Sequence, residues 1–155
     1  MKKIDPGQTI AIFANIGVLV GIALLIFELN QNRNMMRAQT RNEISRGAMD
    51  LLITGATSEP LAAVMVRANA GEKLSAEENF MFLNRAELTF RLWENANYQY
   101  RQGMFDATEY SGNLETINDV LSRNRSLVAY WCARRQMFSL PFAKEIDALP
   151  AMQSC

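Results

Sequence analysis

Residues 10–29 read Ile-Ala-Ile-Phe-Ala-Asn-Ile-Gly-Val-Leu-Val-Gly-Ile-Ala-Leu-Leu-Ile-Phe-Glu-Leu, and thirteen of these twenty are Ile, Leu, Val or Phe. Only Asn15 and Glu28 are strongly polar. A twenty-residue helix rises about 30 Å, the thickness of bilayer hydrocarbon. Each large aliphatic residue near the centre favours insertion by roughly 0.3–0.6 kcal/mol, so thirteen supply roughly 4–8 kcal/mol. That outweighs one asparagine near the start of the run. Glu28 falls at the far boundary, where a carboxylate reaches water. The stretch therefore predicts a transmembrane helix.

Lys2 and Lys3 precede it like the basic region of a signal peptide. The apolar run is longer than a signal peptide needs, however, and it ends in Glu28-Leu29-Asn30-Gln31-Asn32 without a small-x-small cleavage site. The expected division is an uncleaved anchor over residues 1–30 and a helical soluble domain over 31–155. The flanking cations orient it. Arg33, Arg37, Arg41 and Arg46 follow the helix and two lysines precede it, which favours a cytoplasmic body.

Helical signals continue past the membrane. Met36, Thr40, Ile44, Ala48 and Leu51/Leu52 recur at three-to-four spacing with no proline among them, and Gly55 is the expected stop. Ser58-Glu59-Pro60 opens a second, short helix that ends at Gly71. Ser75 and Glu78 form a capping box for a third helix reaching about Gln102, before Gly103. Asp106 and Glu109 start a fourth helix, running through Leu121. Ser126 precedes a fifth, to about Phe138, and a short terminal helix lies between Pro141 and Pro150. No segment alternates with the period of a strand. The expected fold is all-α: one N-terminal transmembrane helix continuing into an irregular bundle of four to six helices.

Composition narrows the function classes. The 155 residues hold 16 Lys plus Arg against 16 Asp plus Glu, so no global basic charge suits nucleic acid. There is no histidine, which removes Ser-His and Cys-His nucleophile pairs, histidine metal sites and a histidine pH switch. Cys132 and Cys155 have no metal-ligand spacing, and so sparse a cysteine content suits a reducing compartment. Whether the two are paired stays open. Cys132 is expected to be buried. No phosphate-binding loop, dinucleotide fingerprint or nucleophile elbow occurs. No cofactor, metal or catalytic residue is expected, and the chain reads as a non-enzyme.

Three groups of residues are candidate sites. Gly17 and Gly21 make a G-x-x-x-G face with Asn15 nearby, which suits close packing of a second membrane helix. Arg33, Arg37 and Arg41 repeat at four-residue steps and suit anionic lipid headgroups or a neighbouring subunit. On the third helix, Glu87, Glu94, Tyr98 and Arg101 are candidates for a small pocket or a core network. The two glutamates lie seven apart on one face and are expected to pair with arginines among Arg85, Arg91, Arg101, Arg134 and Arg135. A di-iron reading of these carboxylates fails for want of histidine.

The junction Phe27-Glu28-Leu29-Asn30-Gln31-Asn32-Arg33 resembles that of a group of small, uncharacterised proteobacterial proteins, in which a transmembrane helix runs into a Leu-x-Gln-Asn-like sequence. The stretch 94–103 and the pattern Trp131-x-x-x-Arg135-x-x-Phe138-x-x-x-Phe142 are similar to later parts of that group. The resemblance implies a membrane-anchored helical protein and carries no chemistry. Two functions are expected from these readings. The first is a non-enzymatic accessory or scaffold subunit of a larger inner-membrane complex, with other membrane subunits as partners. The second is a self-associating membrane-bound sensor or regulator that binds lipid or a small ligand.

Overall fold

A computed structural model of the protein describes residues 6–153. Lys2, Lys3 and Cys155 lie outside them. Among the described residues there are six α-helices, two 3-10 turns and no strand. The helices are α1 (Pro6–Thr57), α2 (Glu59–Asn69), α3 (Ala76–Arg101), α4 (Ala107–Arg123), α5 (Arg125–Arg134) and α6 (Leu140–Asp147). The turns are Arg135–Met137 and Pro150–Met152. This is the all-α architecture, with a long N-terminal helix and a helical bundle, that the periodicity predicts.

The chain divides into two compact units, the first ending at Ala38 and the second beginning at Gln39. In the first unit α1 is long and apolar enough to cross a membrane, and none of its most apolar window is buried. Phe13, Leu19, Leu24 and Phe27 all lie open. A helix that is apolar on every side has either protein or lipid around it in its working state.

In the second unit local chemistry sets most boundaries. The Ser75 hydroxyl accepts from the Glu78 amide at 3.2 Å, and the Glu78 carboxylate accepts from the Ser75 amide at 2.7 Å. The Asp106 carboxylate receives the Thr108 amide at 2.8 Å and so starts α4. Gly71 and Gly103, at φ +76° and +71°, follow α2 and α3 in the left-handed conformation that terminates helices.

Three boundaries differ from expectation. α1 continues through Gly55 to Thr57, while the Thr54 and Thr57 hydroxyls donate to Asp50 and Ile53 carbonyls at 2.7 and 2.8 Å. Ser58 then opens α2, its hydroxyl accepting from the Leu61 amide. Gly55 is instead a packing residue, since a Cβ there would sit 3.3 Å from the Arg85 guanidinium. The fifth helix starts at Arg125 with Asn124 at the cap position, and Ser126 is buried in its first turn. It ends at Arg134, short of Phe138, because Phe138 takes an extended backbone (φ −108°, ψ 161°) that turns its ring into the core.

That core joins Val64 of α2, Phe82, Ala86, Phe90 and Trp93 of α3, and Ile117 and Leu121 of α4 to Trp131, Phe138, Phe142 and Ile146. Phe90 lies at its centre. Its ring stacks on Trp131 at 4.9 Å and Tyr130 at 5.6 Å, and meets Trp93 edge-on at 5.0 Å. A smaller cluster holds Ile44 of α1 against Ala96, Phe105 and Tyr110. Cys132 departs from expectation. It is exposed on α5 because its neighbour Trp131 takes the inward position, and it is disulfide-bonded.

Phe90→Ala is expected to cost about 3–5 kcal/mol, because four aromatic partners, Phe138 among them, lose their contact and a cavity opens. Thermal or denaturant unfolding followed by circular dichroism checks this, and a loss below about 1 kcal/mol would displace Phe90 from the centre of the core.

Candidate functional site

The first candidate group lies on α1 within the first unit. Asn15 and Gly17 are exposed and Gly21 is half-buried. A Cβ added at either glycine would meet nothing within 4 Å, so no element of the described chain covers this strip. Arg33 and Arg37 are likewise exposed in that unit. Arg41 belongs to the second unit, where its Nε donates to Glu109 Oε1 at 3.0 Å. Both partners are exposed, which makes this a surface pair worth about 0.2–1 kcal/mol.

The α3 group separates into two places. Glu87 and Glu94 flank Arg91, whose guanidinium nitrogens lie 3.4 and 2.8 Å from them. The other oxygen of Glu94 accepts the Ser139 amide at 2.7 Å, at the start of α6. Burial pushes the Glu94 carboxyl up, but the Ser139 amide and Arg91 together outweigh it and hold the group below its ordinary value. The Arg91 guanidinium also lies 4.5 Å from the centre of the Phe138 ring. Glu94 therefore anchors α3 to the chain after α5, while Glu87 pairs within α3.

Arg134 and Arg135 do not reach the α3 carboxylates. Arg135 pairs with Asp147 at 3.2 Å, and Arg134 lies over the Tyr130 ring at 5.7 Å. The turn Arg135–Met137 carries Arg135 toward α6 instead. Tyr98 is half-exposed, with Arg101 over its ring at 5.8 Å.

Arg101 leads into a buried network that sequence reasoning only grazed. Its Nε donates to Asn97 Oδ1 at 3.0 Å, and Asn97 Nδ2 donates to the Tyr110 hydroxyl at 3.0 Å and to Glu145. The Tyr110 hydroxyl donates in turn to Glu145. Asn97 and Tyr110 are each 3% exposed. Tyr100 stacks on Tyr110 at 4.3 Å, which closes the network from one side. Burial first, and then the hydrogen bond to Glu145, raise the Tyr110 hydroxyl well above its ordinary value. The group thus stays protonated as a donor and ties α3, α4 and α6 together. Asn97 lies inside the aromatic and amide run 93–101, but nothing local to Tyr110 or Glu145 marks them, because they are 35 residues apart.

The second unit also holds two cavities that share Leu51, Arg85 and Leu92 in their walls. One is an open groove of about 650 Å³ between the end of α1, the start of α2 and α3. The other, of about 270 Å³, lies toward α4. Arg85 is half-buried, and its one recorded bond runs from the guanidinium to the Leu51 carbonyl. Among the described residues it forms no ion pair, and burial lowers its pKa. No cluster of three or more His, Cys, Asp or Glu side chains that would hold a metal occurs among the described residues.

These features define an all-α chain with one helix apolar enough to span a membrane and a bundle stapled by buried polar groups. No protein-family model, curated protein or solved structure matches it.

Tyr110→Phe is expected to cost about 1–3 kcal/mol near neutral pH, since Glu145 and Asn97 each lose a buried partner. The raised value also sets a sign. The stability from a neutral Tyr110 is complete below the unfolded value of 10.0 and is lost as pH rises beyond it, where only the unfolded chain ionises readily. Urea unfolding between pH 7 and pH 12 should show a flatter alkaline decline in the variant. An equally steep decline would remove Tyr110 from this role.

Proposed function

We propose that the protein is a single-span, membrane-anchored interaction subunit, whose N-terminal helix inserts in the bilayer and packs there against another membrane helix. The observation that carries this reading is the uncovered apolar helix of the first unit. A window this apolar with none of it buried needs lipid or protein around it. The open strip at Gly17 and Gly21 supports a helix partner, because small residues let two backbones approach. The body is a scaffold rather than a catalyst in this reading. The bond of the Ser139 amide to Glu94 and the network at Tyr110 each join helices, which is a structural duty.

The setting we propose is a bacterial inner membrane with other membrane subunits as partners, and with Arg33 and Arg37 facing anionic headgroups or those subunits. The flanking cations favour a cytoplasmic body, whereas the disulfide at Cys132 suits an oxidising side. The four arginines against two lysines carry the orientation we propose. A C-terminal phosphatase fusion reads the side directly, and an active fusion would place the body outside the cytoplasm.

The anchor and the partner have separate tests. Alkaline carbonate should leave the full-length protein in the membrane pellet, and its release to the supernatant would end the anchor reading. Native gel electrophoresis from mild detergent should show co-migration with larger subunits. Gly17→Leu with Gly21→Leu should remove that co-migration while membrane retention persists. Unchanged migration of the double variant would sink the helix-packing role.

A further inference from the structure

The groove between the end of α1, the start of α2 and α3 has an apolar wall and a single unpaired cation. Leu61, Met81, Leu88, Leu92 and Phe80 line it, and Phe80 and Leu88 are 69% and 59% exposed at its edge. Its polar groups are nearly all committed locally. The Thr54 hydroxyl donates to the Asp50 carbonyl, the Ser58 hydroxyl accepts the Leu61 amide, and Asn84 donates to the Phe80 carbonyl. Asp50, on the groove wall and exposed, makes no ion pair with Arg85.

Arg85 is the exception. A guanidinium carries five N–H donors, and here one recorded bond to Leu51 serves them. A half-buried cation without a carboxylate is an unusual expense in a small fold, and it asks for an anion. The adjoining cavity repeats the pattern. There the Thr89 and Thr116 hydroxyls and the Asn124 amide all donate to carbonyls one helical turn back. Asn113 Nδ2 is buried with no partner. Asp50 on the groove wall is exposed to solvent, whereas the two half-buried under-used groups, Arg85 and Asn113, are both donors, and Arg85 belongs to the wall of each cavity.

We propose that this groove binds a free fatty acid, a single apolar chain with a carboxylate head, the head on Arg85 and the chain along Leu61, Met81 and Leu88. Charge complementarity selects the head. A neutral lipid leaves the cation uncompensated, while a carboxylate accepts two guanidinium N–H groups at once. The wall selects the tail, and a volume of about 650 Å³ falls in the ordinary range of small-ligand pockets. The inference uses only the second unit, so it stands or falls independently of the membrane reading.

The test is photolabelling of the full-length protein in nanodiscs with a diazirine analogue of dodecanoate, followed by peptide mapping. Labelling should fall on the peptides that carry Phe80 to Leu92 and Leu51 to Leu61, and unlabelled dodecanoate should compete with it where dodecanol does not. Arg85→Met keeps the apolar stem and removes the charge. It should weaken labelling at the groove by about tenfold or more, with labelling of residues 10–29 unchanged. Leu88→Asp, at an exposed position that the fold does not depend on, should weaken it as well. Competition by dodecanol equal to that by dodecanoate would overturn the proposal. So would unchanged groove labelling in Arg85→Met, or groove labelling by a photoreactive phosphatidylcholine in place of the free acid.

Discussion

The indole of Trp131 is wholly buried, and its one donor has to find an acceptor inside the fold. Asp147 supplies it at 2.8 Å, and that carboxylate has a second oxygen to satisfy. Arg135 takes the second oxygen, so one indole position dictates where α6 ends and where the turn after α5 points. The same indole stacks on Phe90, meets Phe142 edge-on at 5.5 Å and packs on Phe138. The placement of α3, α5 and α6 follows from that side chain. Phe138 must leave helical geometry to join it, and this cuts α5 short.

Polar groups around the core are used as fasteners between helices. Glu94 holds the amide that begins α6, Tyr110 and Asn97 hold Glu145 within α6, and Asn69 of α2 donates to the Arg123 carbonyl at the end of α4. Each bond joins elements distant in sequence, and those to Glu145 are worth more for being partly desolvated. Arg85 does not follow this pattern. Its charge is half-buried and its acceptor is a carbonyl already used by α1, which sets it apart from the structural arginines Arg67, Arg91 and Arg135.

Much of the helical plan was legible in the chain because its signals are local. The capping box at Ser75, the Asp106 cap, and Gly71 and Gly103 act within one turn, so residue type and spacing are enough to place them. The apolar run at residues 10–29 is legible for a similar reason, since its length and composition need no partner to be read. Where reading failed, a distant contact had overridden a local cue. Gly55 looked like a stop, yet its smallness accommodates Arg85 from α3. Ser126 was expected to precede the fifth helix, yet it is packed inside the first turn of α5.

The sequence by itself determined that this protein is all-helical, where most of its helices begin and end, and that one of them is apolar enough for a membrane. Backbone hydrogen bonds within a helix span four residues, and a neighbour three or four positions away is known from the chain alone. Only the tertiary structure decided the partners. Tyr110 meets Glu145, Trp131 meets Asp147 and Arg85 meets no carboxylate because of which helix faces come together. Glu87 is two residues from Arg85 and so points to another side of α3, which leaves the guanidinium unpaired in a way that composition, with its equal numbers of acids and bases, does not reveal.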